Sequence, residues 1–183
     1  GELDNTVVVF SSDHGEMLSS QGLTGKRWPY RESSQIPFLI RWPKRIEAGS
    51  SLSMPLGRPD IFPTLCGLAG IEVPSGLDGQ DCSPSILEGN HVQDHAYLTM
   101  HHTFMPWPGW RGVRTEQFNY ASTEDGPWIL YDLEDDPYED HNLVNENPGL
   151  VKELDGLVQE SMSRLGDSWR GGEGEGGDFG KWR

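Results

Sequence analysis

Thr6-Val7-Val8-Val9-Phe10-Ser11-Ser12-Asp13-His14-Gly15 is the stretch on which the reading of this chain turns. A short β-branched and aromatic run bounded by serine and glycine reads as a buried strand. The Asp13-His14 pair just beyond it brings a carboxylate and an imidazole to the carboxyl end of that strand, where open α/β sheets bind their ligands. Gly15 is expected to let the backbone turn sharply away after them. An Asx-type loop with a solvated histidine would carry the same dipeptide, so the neighbouring sequence has to decide.

Working outward, Leu23-Thr24-Gly25-Lys26 and Pro29-Tyr30-Arg31-Glu32-Ser33 lead into a second apolar run, Ile36-Pro37-Phe38-Leu39-Ile40-Arg41-Trp42-Pro43. Further on stand Trp110-Arg111-Gly112-Val113-Arg114-Thr115 and Leu130-Tyr131-Asp132-Leu133-Glu134-Asp135-Asp136-Pro137, the latter completed by Asn142-Leu143. This ordered set, from about Asn5 to about Leu165, resembles the C-terminal part of the sulfatase family, a branch of the alkaline phosphatase superfamily. The resemblance implies an α/β fold: the edge of an alkaline-phosphatase-like mixed sheet, followed by a small α+β subdomain.

Composition bounds the partners. The chain has 183 residues and a formal net charge of −15, with a pI near 4.6. Nucleic acid is excluded as a partner on this basis, because neutralising phosphates needs a basic surface. An acidic chain also repels a sulfate ester, so a bound cation and a local lysine would have to overcome that field. No apolar run approaches the ~20 residues needed to span a bilayer, so no membrane partner is expected. Gly1-Glu2-Leu3-Asp4 runs straight into a strand, and the chain reads as if it starts mid-domain. The lack of a visible signal peptide therefore says little about where the parent protein resides.

The expected organisation has three parts. Residues 1–90 form the C-terminal portion of the α/β domain, with strands at Thr6–Phe10 and Pro37–Arg41 and an irregular loop between them that carries Lys26. Asp60 is expected to cap a core-packing helix through Ala69, with Ile61, Leu65, Leu68 and Ala69 at helical spacing and Gly70 just past its end. Pro74–Asp94 reads as a linker. Residues 91–165 form the small α+β subdomain. Its strands are expected at Ala96–His101, Arg111–Thr115, Gln117–Ala121 and Trp128–Asp132. A helix opened by Asn147 and Pro148 should then cover one face of that sheet with Leu150, Leu154, Leu157, Val158 and Leu165. Residues 166–183 are a Gly-rich tail, expected to be disordered or loosely attached.

The two cysteines, Cys66 and Cys82, are expected to be separate, partly buried thiols. Cys82-Ser83-Pro84-Ser85-Ile86 imitates the Cys-x-Pro-Ser-Arg segment that sulfatases convert to formylglycine. Ile86 stands in place of the arginine, and the segment follows the Asp-His pair where the family's nucleophile precedes it. Cys82 is therefore not read as the nucleophile.

Sulfate ester hydrolysis needs a nucleophile, stabilisation of charge on the non-bridging oxygens, and help for the leaving oxygen. The resemblance implies that Asp13 and His14 are metal ligands, usually for calcium, and that Lys26 bridges the sulfate and the ester oxygen. Calcium prefers oxygen donors, so the imidazole leaves zinc as the alternative. Gln21 stands where many sulfatases have histidine. The family's upstream aspartates and its formylglycine cysteine have no counterpart here. The expected function is thus the C-terminal fragment of a sulfatase-like hydrolase, inactive without the missing N-terminal segment that carries formylglycine, and acting on a sulfated small molecule or glycan. The alternatives are a zinc-dependent phosphodiesterase or phosphonate hydrolase of the same superfamily, or a non-catalytic glycan-binding subunit. His101, His102, Trp107, Trp110 and Arg111 form an aromatic, basic cluster. Either His101 and His102 contact substrate there and a tryptophan stacks on a sugar ring, or the tryptophans cover the sheet and the histidines are solvated. His91, His95 and His141 read as surface residues.

Overall fold

The computed structural model describes residues 2–101 and 109–169. The first apolar run forms β1 (Val8–Ser11) and the second forms β2 (Phe38–Arg41). They pair antiparallel, with Phe10 opposite Leu39 and Val9 opposite Ile40. Val8, Phe10 and Leu39 share one face and are 47 %, 63 % and 63 % exposed. Val9 and Ile40 on the other face are only half-buried. A ribbon apolar on both faces has the pattern of a strand pair inside a covered sheet.

Between these strands the chain makes a loop and one short helix, α1 (Arg31–Ser34). After β2 comes α2 (Ile61–Ala69), which ends at Gly70 in the left-handed conformation. Pro63, Thr64, Cys66 and Leu68 form its buried face. The expected stripe shifts because Ala69 is exposed, while Pro63 and Thr64 turn inward. Asp60 does not cap this helix through its side chain. Its carboxylate instead accepts from Gly57 N, Gln80 N and Gln93 Nε2, fastening the linker to the start of α2. The linker itself is not wholly irregular. Pro84 in its first turn and Gly89 past its end delimit α3 (Ser83–Glu88), as the proline-then-glycine order favours.

The subdomain follows the expected plan. Strands β3 (His95–Met100), β4 (Trp110–Thr115), β5 (Phe118–Thr123) and β6 (Gly126–Asp132) form an antiparallel sheet in sequence order. Helix α4 (Pro148–Leu165) starts where the Asn147 side chain accepts from Leu150 N. Leu154, Val158 and Met162 of α4 pack on Val113, Tyr120 and Leu130. The opposite face of the sheet buries Trp110, Ala121, Ile129 and Tyr131, with Tyr30 of the α/β part against them. The sheet is therefore covered by α4 on one side and by the loop after Lys26 on the other. His95 is not a surface residue. Its side chain is 18 % exposed, and Nε2 lies 3.0 Å from Ser161 Oγ on α4. Of the tail, residues 166–169 are described and residues 170–183 lie outside the described residues. No helix among the described residues is long and apolar enough to cross a membrane.

Candidate functional site

The site grows from the end of β1. Ser12 Oγ donates to His14 O at 2.9 Å, and Asp13 Oδ1 accepts from His14 N at 3.0 Å, which fixes the Asp-His turn locally. Gly15 N then donates to Ser33 O at 2.9 Å and Glu16 N to Glu32 O at 2.7 Å. The chain is thereby laid against α1. Here the role expected of Gly15 changes. It is absent from the positive-φ residues, so a sharp turn is not what it supplies. A β-carbon at Gly15 would collide with the Glu32 carbonyl oxygen, so glycine permits close approach of two backbones.

The loop returns through Met17, which is fully buried. Met17 N donates to Gly25 O at 2.9 Å, and Gly25 N donates to Glu16 Oε1 at 2.6 Å. Lys26 then emerges with its Nζ 2.6 Å from His14 Nε2. The other ring nitrogen, His14 Nδ1, lies 2.7 Å from Gly15 O. A carbonyl only accepts, so Nδ1 carries the proton, and the Nε2 lone pair accepts from the Lys26 ammonium. Asp13 Oδ2 lies 3.4 Å from the same Nε2. Desolvation would raise the Asp13 carboxyl, but His14, the backbone N–H groups of Asp13 and His14, and Lys26 outweigh it and hold it below the usual carboxylate range. The structure thus brings Asp13, His14 and Lys26 to one place, with an anionic oxygen, a lone-pair nitrogen and an ammonium facing each other.

This donor set suits part of a divalent-metal site. A carboxylate oxygen fits calcium, and a neutral imidazole nitrogen fits zinc. Among the described residues, no group of three or more His, Cys, Asp or Glu side chains could hold a metal ion. Asp13 and His14 are two potential donors, fewer than a closed zinc or calcium site takes.

His101 stands apart from that group. Its Nδ1 lies 3.2 Å from an Arg111 nitrogen, and its Nε2 lies 4.0 Å from Asp167 Oδ1. Arg111 is 1 % exposed. It donates twice to Asp167, at 2.5 and 2.8 Å, and its guanidinium lies over the Trp169 ring at 5.0 Å. Tyr97 also donates to Asp167, at 2.6 Å. Arg111 therefore clasps the start of the tail to the sheet. Trp110, 4 % exposed, likewise covers the sheet rather than lining a sugar-stacking surface. His102 and Trp107 lie outside the described residues. A cleft of about 1150 Å³ between the 55–60 segment, β3 and α4 includes none of Asp13, His14 and Lys26.

Sequence reasoning missed the residues that fix the lysine loop from the subdomain. Glu139 is fully buried. It accepts from Arg31 N at 2.8 Å, Arg114 at 3.1 Å and Asn119 at 3.1 Å. Gln21 Nε2 donates to the Glu139 carbonyl at 3.0 Å, so the substitution at that position serves the joint between the two parts. Glu139 sits in an acidic run, which normally signals a solvated loop. Its positive φ of 59° is invisible in composition. Cys66 and Cys82 are buried free thiols, and burial, followed by the nearby Asp60 charge, pushes the Cys82 thiol up to about 11.

Comparison with known proteins agrees with this architecture. The family model described as N-sulphoglucosamine sulphohydrolase, C-terminal, matches residues 19–166. An ulvan-active sulfatase of Formosa agariphila is 36 % identical over 178 residues, covering 91 % of this chain and 34 % of that protein. An N-acetylglucosamine-6-O-sulfatase of Bacteroides thetaiotaomicron is 34 % identical over 179 residues, covering 92 % of this chain and 32 % of that protein. A solved protein bound to its substrate, D-glucosamine-2-N,6-O-disulfate, superposes with a TM-score of 0.76 at 30 % identity, covering 91 % of this chain and 36 % of that one. The phosphonate monoester hydrolase of Agrobacterium radiobacter is more distant, with a TM-score of 0.70 at 25 % identity, covering 90 % of this chain and 36 % of that one. The chain belongs to the sulfatase C-terminal family, within the alkaline-phosphatase-like superfamily. It spans about a third of the length of the curated relatives it matches.

Proposed function

We propose that this chain is the C-terminal portion of an enzyme that hydrolyses sulfate esters of a glycan, and that Asp13, His14 and Lys26 are its share of the active site. The observation that carries the reading is the convergence of Lys26 Nζ, His14 Nε2 and Asp13 Oδ2 at the end of β1. The sulfatases it resembles act, by their names, on ulvan and on sulfated N-acetylglucosamine, which supports a sulfated sugar as the substrate class.

Asp13 and His14 would hold a divalent metal together with ligands from the N-terminal segment, which would also carry the formylglycine nucleophile. Such a metal, when bound, stabilises charge on the non-bridging sulfate oxygens. The remaining chemistry on this chain belongs to Lys26 and to the exclusion of misplaced conformers. Lys26 donates to the same His14 Nε2 lone pair that a metal would take, so metal binding there would free the ammonium to neutralise the sulfate and to meet negative charge as it develops on the leaving oxygen. Gly15 and α1 keep the Asp-His turn and the lysine loop in register, so the groups need no reorganisation at the moment of reaction. The exposed apolar faces of β1 and β2 support an N-terminal segment that covers this sheet.

A second reading is favoured by one observation, the imidazole in the donor set: a zinc-dependent phosphonate or phosphodiester hydrolase. The full-length enzyme, assayed in parallel on an activated aryl sulfate and a matching phosphonate monoester with its metal content measured, separates the two. Preference for the sulfate, with metal lost in Asp13→Ala, is the expected result. Preference for the phosphonate with stoichiometric zinc would overturn it.

A further inference from the structure

We propose that Trp110, on the first residue of β4, is a positioning residue for Lys26, so that the small subdomain sets the geometry of the leaving-group lysine through a single indole hydrogen bond. The proposal rests on the reading of Lys26 given above. Lys26 is followed by Arg27, a non-glycine residue held at φ +91°. L side chains rarely adopt this conformation, and it persists only where the surroundings impose it. Two contacts impose it here. On one side, Ser33 Oγ accepts from Arg27 N at 3.0 Å and from Trp28 N at 3.2 Å. On the other, Trp110 Nε1 donates to the Arg27 carbonyl at 2.8 Å. Ser33 and Trp110 are 5 % and 4 % exposed, so water competes for neither bond.

The same segment is fastened to the subdomain again just downstream. Asn119 donates to Pro29 O at 2.9 Å, the Tyr30 and Tyr131 rings lie 6.1 Å apart, and Glu139 accepts from Arg31 N. Those contacts hold the loop as a whole. The Trp110 bond differs in acting on the residue adjacent to Lys26, at the point where the backbone is strained. Without it, Ser33 alone restrains Arg27, and relaxation toward negative φ would redirect the peptide that carries the lysine away from His14.

Trp110→Phe tests this in the full-length enzyme, because the ring keeps its packing on Ala121, Ile129 and Tyr131 while losing the donor. The readout is kcat on aryl sulfates of graded leaving-group acidity. Trp110→Phe should lower kcat by about tenfold on poor leaving groups, with the loss shrinking on good ones and KM nearly unchanged. In a Lys26→Ala background it should have no further effect on kcat. Ser33→Ala, which loosens the other side of Arg27, should change the leaving-group dependence in the same direction, and it carries the test if Trp110→Phe does not fold. A uniform loss across the series, no loss, or additivity with Lys26→Ala would remove the role of Trp110 while leaving Lys26 in place. A Lys26→Ala variant with no leaving-group dependence would remove both.

Discussion

Lys26 Nζ lies 2.6 Å from His14 Nε2, and it is the lysine that donates, because the opposite ring nitrogen is committed to Gly15 O at 2.7 Å. One side chain of the Asp-His pair thus holds the ammonium of a loop that leaves and returns between β1 and β2. Lys26→Ala in the full-length enzyme should raise the barrier by about 3–4 kcal/mol, or roughly 10²–10³ in kcat, for a poor leaving group. Steady-state assays on a sugar sulfate check this. Asp13→Ala should be at least as damaging, and unchanged kcat/KM in either would remove that residue from the site.

Gly15→Ala should disable the site without touching a reactive group. The added methyl meets the Glu32 carbonyl, and neither backbone can retreat without breaking the Gly15–Ser33 and Glu16–Glu32 bonds. A loss of about 2–3 kcal/mol in denaturant unfolding is expected, with kcat falling in the fraction that still folds.

Asp167 ties the start of the tail to Arg111, and its carboxyl is held below the usual range. Burial alone would raise it, but hydrogen bonds from Arg111 and Tyr97 and the charges of Arg111 and His101 prevail. A carboxyl lowered by folding stabilises fully above its unfolded pKa of about 3.9, and the stabilisation fades as pH falls through the folded value. Asp167→Asn should therefore cost about 3 kcal/mol at neutral pH, since it strands a buried guanidinium. It should also flatten the acid limb of the stability profile. Thermal unfolding of both proteins between pH 3 and pH 7 measures the effect.

Cys82 should be inert. With its thiol pushed up to about 11, roughly one molecule in a thousand carries the thiolate at pH 8. Cys82→Ala should leave turnover unchanged in the full-length enzyme. Native protein should react with an aromatic disulfide at Cys82 only after denaturant is added. Loss of turnover in Cys82→Ala with folding intact would contradict this.

Much of this was legible from short-range pattern. The β-branched run before Asp13, the turn-bounded strands of the subdomain, and the Asn147-Pro148 helix start are local signals, and each element formed within a few residues of its expected place. Asp60 misled because an aspartate before a helical stripe looks like a cap, whereas Gly57 N in the preceding turn and two donors from distant chain segments, Gln80 and Gln93, claimed its oxygens. Arg111 and Trp110 instead left two readings open. An exposed aromatic-basic cluster and a buried clasp have the same composition, and only the approach of Asp167 and Arg27 tells them apart. Glu139 was beyond reach altogether, since its partners lie on three separated segments and its backbone is left-handed.

Glu139 also bears on anyone who would recombine such enzymes. The boundary expected near residue 90 marks an inviting crossover point for exchanging the small subdomain between relatives. A chimera cut there would import a new residue 139 and a new residue 110 while retaining Gln21, Arg27 and Arg31 from the recipient. The carboxylate and the indole would then face backbones they did not evolve beside. The transferable module is therefore not the subdomain by itself but the subdomain together with the loop from Gln21 to Ser33.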